Sequence, residues 1–527
     1  MKSPLTGTSV IGYSRGQGET PAGQAVHASS GAKLEPIYLS ATPEEVDQAV
    51  ELAATASPLY SKLTGKERGA FLRAIAAELE AVVDDIAERG TLETGLPDAR
   101  LRGETGRTTG QLRLFAALVE EGSWVDARIE RAQPERQPLP KVDIRSMLKP
   151  LGPVAVFCAS NFPLAFSVAG GDTAAALSAG CPVVVIAHHA HPGVAEIVAQ
   201  AILRAALATG MPEGVFSLLY GGGPAVGIPV VQHPAIQAVG FTGSRHGGTA
   251  LMAAAASRPQ PIPVYAEMSS VNPVVILPGA LERGEAALAE AFFNSLVLGV
   301  GQFCTNPGLV FLPDGMGLVF LDRLKQLVGT SMPGVMLSEG VAQAYVDAVD
   351  AFANSEGVET VGRSAAPNGT GPGAAAIFSV SVRRFLEDDL LQSEIFGPAA
   401  LIVRGSLAEI EATIPELEGQ LTATIHGTEA ELAHHSALVA ALANKAGRVI
   451  FNGFPTGVEV CHAMVHGGPY PATSDGRSTS VGTMSIQRFV RAVCYQSFPD
   501  AILAPELQDA NPLGIWRTEE GKRLPPP

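Results

Sequence analysis

Apolar positions between residues 42 and 280 switch repeatedly between a helical and a strand period, and the switching predicts the architecture. From Thr42 to Arg89 the spacing is helical. "TPEEVDQAVELAATAS" offers a Thr N-cap with acids in the first turn, and "GKERGAFLRAIAAELEAVVDDIAE" repeats apolar residues on one helix face. A further helix is expected over about 104–120, "ETGRTTGQLRLFAALVE". "QPLPKVDIRSMLKPLGPVAVFC" turns to β character with proline punctuation, which reads as a protruding hairpin leading into a buried strand. Short apolar runs follow from 152: "GPVAVFC", "PVVVIA", "VFSLLYG", "AVGFTGS" and "NPVVILP", with helical stretches such as "GVAEIVAQAILRAALATG" between them. Alternation of this kind implies an α/β chain with a parallel, doubly wound sheet. "NPVVILP" is expected to close that region near 280, a second α/β block to run over 281–482, and the tail from 483 to pack on a neighbour.

Length and composition narrow the picture. A chain of 527 residues is too long for one core, so two or three domains are expected. It is 46% hydrophobic and 17% charged, which suits a compact protein. The formal net charge of −16 argues against nucleic acid or an anionic membrane as partner, although one or two local arginines can still hold an anionic small substrate. Five scattered cysteines (158, 181, 304, 461, 494) do not form a disulfide framework and point to a reducing cytoplasm. The start lacks a signal-peptide apolar core. The apolar stretch at 174–187 is broken by Gly-Cys-Pro and is shorter than the roughly 18 residues of a spanning helix.

Candidate chemistry centres on "GQFCTNPGLV" at 301–310, a cysteine in a small-residue turn after an apolar helix. A structural thiol has no need of glycines and amides beside it; a nucleophilic thiolate does. "FTGS" at 241–244 lies where a strand meets a helix, and free N–H groups there attract phosphate. "GGGPAVG" at 221–227 lacks the Gly-Lys-Ser/Thr of a phosphate loop and reads as a tight loop. His188, His189 and His191 have no fourth ligand and no acid or cysteine in order, so no metal is expected and they read as solvated loop histidines. Cys158 and Cys181 border strands and read as inert core thiols, while nothing local places Cys461 or Cys494 at a site.

Four stretches together resemble the aldehyde dehydrogenase family in order and spacing: "SNFPLAF" (160–166), "GFTGS" with "AEMSSVNP" (240–244, 266–273), "GQFCTNPG" (301–308) and "SEIFGP" (393–398). "FCTNPGLV", "GQLRLFA", "HGGPYPATSDGRSTSVG" and "VCYQSFPD" are similar to its longer members, which act on 2-oxoglutarate semialdehyde (2,5-dioxopentanoate) or on fatty aldehydes. The resemblance implies two doubly wound parallel-sheet domains, a cofactor domain (1–132 with 152–280) and a catalytic domain (281–482), plus a small β oligomerisation element from 133–151 and 483–527. It implies NAD(P)-dependent oxidation of an aldehyde through a cysteine thioester by a homo-oligomer, dimer or tetramer. Cys304 would be the nucleophile, Asn161 an oxyanion donor with the Cys304 N–H, and Glu267 the base that activates water.

For the cofactor, Ser244 and Gly243 would meet the pyrophosphate, Gly223 the adenine side, and Glu394 and Phe396 the nicotinamide ribose. The family's usual lysine at the end of the second strand is Ile186 here, and His189 stands where NAD-preferring members carry a glutamate. That gives a slight lean toward NADP, and a lysine at Ile186 would help only if the side chain emerges toward solvent. Shorter semialdehyde dehydrogenases place an arginine where this chain has Gly170, so a substrate carboxylate must find another cation. Arg107 and Gln111 share a face of the 104–120 helix with Phe115 and Leu118 and are the candidates, with Phe162 lining the substrate and Arg477 as reserve. An internal salt bridge is the competing role for Arg107. A non-catalytic relative that kept the fold is the alternative from another class; Cys304, Glu267 and Asn161 speak against it and Ile186 speaks mildly for it.

Overall fold

A computed structural model describes residues 4–364 and 373–526. The ends of the expected first and last parts (1–3 and 527) and 365–372 of the expected second lie outside them. The helices begin where the sequence supplies caps. Thr42 and Thr64 each close a capping box, with Glu45 and Glu67, at the heads of Pro43–Tyr60 and Gly65–Ala81. The helix expected at 104–120 starts earlier, as Asp98–Glu121, because Pro97 ends the preceding turn and Asp98 supplies an acid to the first turn. Gly122 closes it with φ 86°, a left-handed stop.

Two seven-stranded sheets carry the chain. In the first the order is Val264–Glu267, Ala238–Thr242, Val154–Phe157, Val183–Ile186, Phe216–Leu219, then Val10–Ile11 and Ser14–Arg15. Its first five strands are parallel and the last two are antiparallel. Taken along the chain, those five run 3-2-1-4-5, the order of a dinucleotide-binding sheet. The second sheet contains Leu309–Pro313, Ala399–Gly405, Ala376–Ser381, Gln420–His426 and Ala446–Phe451, parallel apart from the edge strand Glu359–Arg363. Both sheets are covered by helices, and the central strands are buried on both faces.

The strand in "NPVVILP" corrects an expectation. Pro273–Ile276 does not close the first sheet; it pairs with Leu309–Pro313 and Gln420–His426 in the second. The chain changes sheets over 268–272, and Asn272 takes a left-handed φ of 50° there. Its amide donates to the carbonyls of Cys304 and Asn306, each at 2.9 Å. The crossover is thus fastened to the cysteine turn.

The proline-rich 133–151 segment is less a hairpin than half of a joint sheet. It has one bridge, Gln133 to Lys141, and then Ile144–Pro150 pairs with tail strand Val490–Gln496 and with Arg128–Glu130. Tail strands Arg517–Glu519 and Lys522–Leu524 complete five strands. A buried Arg488–Asp172 ion pair at 2.6 Å ties the tail to the first sheet's helices. The glycine-rich 221–227 segment is not a simple tight loop either: Gly223–Gly227 forms a π-type turn that runs into helix Ile228–Gln232. No helix among the described residues is long and apolar enough to cross a membrane.

Candidate active site

Three segments distant in sequence converge. Glu267 ends strand Val264–Glu267. Cys304 follows helix Pro278–Val297 and the turn Leu298–Gly301. His466 comes from a long loop that returns to the first sheet: Met268 N–H donates to the Ala472 carbonyl at 2.8 Å, and Ser474 N–H to that of Ala266 at 2.9 Å. The cysteine turn needs its glycines. Gly299, Val300 and Gly301 are all left-handed, and a Cβ on Gly301 would lie 2.3 Å from the Gly397 backbone.

His466 Nε2 lies 2.9 Å from Glu267 Oε1 and 3.5 Å from Cys304 Sγ. The imidazole and carboxylate are 1% and 3% exposed, so this is a dry cluster. The ligand atoms of all three lie within 4.8 Å of one another. Ser480 Oγ donates to Glu267 Oε2. Burial pushes Glu267 up, but the His466 charge and the hydrogen bonds from His466 and Ser480 bring it net below its ordinary value. Cys304 is held well above the usual thiol range by burial and by the Glu267 and Glu394 charges, with Arg107 acting against them. The resting cysteine is therefore a thiol beside proton acceptors.

Asn161 donates its amide to the Gln302 carbonyl at 3.1 Å, two residues before the cysteine. The Cys304 N–H has no acceptor among the described residues. A charged oxygen formed on a carbon attached to Sγ would find both donors at hand. Gln302 also accepts from Leu337 N–H at 3.0 Å, which links this turn to the 334–338 segment.

Helix Asp98–Glu121 brings Arg107 close enough to Cys304 for their charges to interact. Glu104 is spent: its carboxylate accepts Leu164 and Ala165 N–H at 2.9 Å each and Arg100 at 2.6 Å. Among the described residues Arg107 has no salt-bridge partner. Its Nη1 and the Gln111 Nε2 on the next turn are buried donors without a partner. Burial pushes the Arg107 guanidinium down, while Glu104 and Cys304 act to raise it. The guanidinium lies 5.3 Å from the Phe166 ring, and Phe166 lies 5.9 Å from the His466 ring. Phe162 sits 5.3 Å from both Phe166 and Phe303 and carries Arg100 at 4.6 Å over its face.

A cleft of about 1130 Å³ opens at the carboxyl ends of the first sheet's strands. Its lining includes Gly223, Ile186, His189, Tyr38, Phe241 and the 334–338 segment. Tyr38 is buried in its wall, beside the Arg89 guanidinium. The size and the strand order fit a dinucleotide. Ser244 and Gly243 do not line it; they lie at the exposed start of helix Arg245–Ala256, where Ser244 Oγ already accepts from Gly247 N–H. Glu394 and Phe396 line a smaller pocket with Phe303 and Asn306, behind the cysteine turn. Burial pushes Glu394 up to about 7.

Several expectations change. Ile186 does not emerge toward solvent: it is 5% exposed and packs with Val184, Leu219 and Val226, touching the cleft only at the strand end. The histidine run is not a solvated loop. His191 is fully buried, with Nε2 2.8 Å from the Ala159 carbonyl, His188 stacks on both His189 and His191, and only His189 is exposed. Arg477 is 90% exposed and pairs with Asp475, away from the site. Cys158 and Cys181 are buried thiols pushed up to about 12 and about 11 by desolvation, in keeping with inert roles. His466, Ser480, Gln302 and Asn272 were missed. His466 and Ser480 stand near the two ends of "HGGPYPATSDGRSTSVG", yet no spacing connects them to Cys304.

Thiol chemistry beside a dinucleotide-type sheet narrows the class to cysteine-dependent dehydrogenases. The chain belongs to the aldehyde dehydrogenase family, whose model matches residues 24–486. It is 50% identical over 524 residues to alpha-ketoglutaric semialdehyde dehydrogenase 2 of Azospirillum brasilense, covering 98% of this chain and 99% of that one. It is 46% identical over 525 residues to the alpha-ketoglutaric semialdehyde dehydrogenase of Acinetobacter baylyi, with the same coverage. Among solved structures, the NAD+ complex of an aldehyde dehydrogenase from Bacillus cereus shares the fold at TM-score 0.78 and 20% identity, over 93% of this chain and 96% of that one.

Proposed function

We propose that this protein oxidises 2-oxoglutarate semialdehyde to 2-oxoglutarate with a nicotinamide dinucleotide as hydride acceptor. The observation that carries the substrate is the pair of buried, unpartnered donors Arg107 Nη1 and Gln111 Nε2, on a helix face beside the cysteine. A semialdehyde that ends in a 2-oxo acid presents a carboxylate and a keto oxygen to such donors. The two relatives' names support the same substrate.

The chain's own groups account for the steps. The Cys304 proton passes to the His466–Glu267 pair as Sγ bonds to the aldehyde carbon. Asn161 and the Cys304 N–H hold the oxyanion; one such donor is worth about 10²–10³ in rate. A bound nicotinamide would supply a hydride acceptor, so that the carbon on Sγ could lose its hydrogen as hydride while the oxyanion held by Asn161 and the Cys304 N–H closes to a thioester carbonyl. The pair passes the cysteine proton on to solvent. A water then loses a proton to Glu267 as its oxygen bonds to the thioester carbon. The C–Sγ bond breaks to release the acid, and the Glu267 proton returns to Sγ so that Cys304 is restored as thiol. Gly223 and the neighbouring cleft residues would hold the adenosine end, and Glu394 and Phe396 the nicotinamide ribose.

The first sheet serves as cofactor domain, the second as catalytic domain, and the five-stranded sheet as an oligomerisation element. Ala446–Phe451 and Val490–Gln496 are open sheet edges, and Val449 and Phe451 are exposed apolar residues on the former. A homo-oligomer follows, testable by light scattering on an eluting peak. Five free cysteines suit a cytoplasmic location. The deciding assay follows absorbance at 340 nm with the semialdehyde acid against uncharged aldehydes of equal and greater length. A higher kcat/KM for the long aliphatic aldehydes would overturn the substrate assignment.

A further inference from the structure

Glu267, Cys304 and His466 are a ligand set as well as a reaction centre. Their ligand atoms lie within 4.8 Å of one another, and no other triplet of such groups among the described residues is this close. His466 Nε2 is 2.9 Å from Glu267 Oε1 and 3.5 Å from Cys304 Sγ. An ion with bonds of about 2.0–2.1 Å to imidazole and carboxylate and about 2.3 Å to sulfur sets tetrahedral ligands roughly 3.3–3.6 Å apart. His466 already stands near that spacing from both partners. Each ligand is also held from behind. Ser480 Oγ donates to Glu267 Oε2, which leaves Oε1 for an ion. His466 N–H donates to Thr479 Oγ1 at 2.8 Å, and Asn272 Nδ2 donates to the Cys304 carbonyl at 2.9 Å. Supports of this kind orient ligands before an ion arrives.

We propose that Cys304, His466 and Glu267 bind a zinc-class divalent cation that reversibly switches the protein off. Binding needs only these three side chains; the loss of activity rests on Cys304 being the nucleophile proposed above. Charge sets the class of ion. A thiolate and a carboxylate together carry two negative charges, so a divalent ion leaves this buried cluster neutral. The Cys304 proton is released to solvent as sulfur takes the ion. Thiolate and imidazole select zinc over magnesium or calcium, which prefer oxygen. Three protein ligands leave a fourth position for water. Two features keep the ion exchangeable. His466 Nδ1 is buried without a partner, so the imidazole lacks the outer acceptor that steadies a resident metal. The Arg107 charge also reaches Cys304 and opposes a cation there. The ion would occupy the attacking sulfur and both groups that take its proton, and so compete with the aldehyde.

Cobalt(II), a coloured stand-in for zinc, gives a readout without turnover. Metal-free full-length protein, with Cys461→Ser and Cys494→Ser to remove the two less buried competing thiols, is titrated with cobalt chloride. A near-ultraviolet thiolate-to-cobalt charge-transfer band should saturate at one ion per chain, and zinc should displace it. Cys304→Ala should lose the band. His466→Ala should weaken zinc by at least about a hundredfold, since loss of even an outer partner costs about 10–100-fold. Glu267→Gln keeps the shape of its side chain and should act in the same direction, with melting curves to show that both variants fold. Zinc should abolish aldehyde oxidation, a chelator should restore it in full, and more aldehyde should raise the zinc required. Absence of the band at one equivalent, or unchanged zinc affinity in either folded variant, overturns the site. Zinc bound at Cys304 with oxidation intact overturns the inhibition, and with it the assignment of Cys304 as nucleophile.

Discussion

The His466 imidazole stands 3.5 Å from the Cys304 thiol. Glu267 meets the same ring nitrogen, Nε2, at 2.9 Å, so that atom serves the carboxylate and the thiol together. A thiol kept protonated by burial and by neighbouring carboxylates needs a local acceptor before it can attack. His466→Ala should therefore lower kcat/KM by about 10²–10⁴-fold, the usual worth of a positioned proton acceptor. Alkylation of Cys304 by iodoacetamide at pH 7 should slow in parallel, since that reaction also needs the thiolate. An alkylation rate equal to that of the unaltered protein would show that His466 has no part in activating the thiol.

Glu267 has a separable task. With glutamine there, the thioester should still form but hydrolyse slowly, because the amide cannot take a proton from water. Glu267→Gln incubated with substrate and cofactor should carry the acyl mass on Cys304, seen by peptide mass spectrometry. Adducts on Cys461 or Cys494 would sink the assignment, as would turnover by Cys304→Ala at the unaltered rate.

Arg107 can be judged by the substrate on which its loss falls. Removing a charge-assisted hydrogen bond of about 1.5–3 kcal/mol predicts a rise in KM of roughly ten- to hundredfold for the semialdehyde acid. An uncharged aldehyde of the same length should be little affected by Arg107→Ala. Equal losses on both would make the side chain a packing element against Phe166. Gln111→Ala should act in the same direction but more weakly, because its amide is neutral.

Residues whose placement is set by a local motif were legible in the sequence. Cys304, Glu267 and Asn161 sit in short stretches whose turn and strand-end geometry is local, and the structure brings all three to one place. Arg107 and Gln111 were legible because helical spacing puts them on one face. What failed was long-range placement. His466 is 162 residues from Cys304 and reaches it only because its loop crosses back to the first sheet. "NPVVILP" has the same apolar pattern whichever sheet it joins, so only the crossover at Asn272 decides. The polar run at 188–191 reads as surface, yet a backbone carbonyl and ring stacking bury His191. Composition counts polarity and cannot count satisfied partners.

Glu394 gives the last prediction, in pH. Its carboxyl is pushed from 4.5 up to about 7 by burial, against opposing hydrogen bonds from Ser269 and Ser270. The folded chain thus holds this proton more tightly than the unfolded chain. Its contribution to stability is fully present below about pH 4.5 and is lost as pH rises toward 7, because above the folded value the buried group must carry its charge. Carboxylates such as Glu267 and Asp475, whose values are lowered, act in the opposite direction, so the whole-protein curve does not isolate the effect. The difference between the unaltered protein and Glu394→Gln does. Melting temperatures measured from pH 5 to 8 should show the glutamine variant gaining on the unaltered protein as pH rises. A constant offset across that range would mean that Glu394 titrates as an ordinary exposed acid.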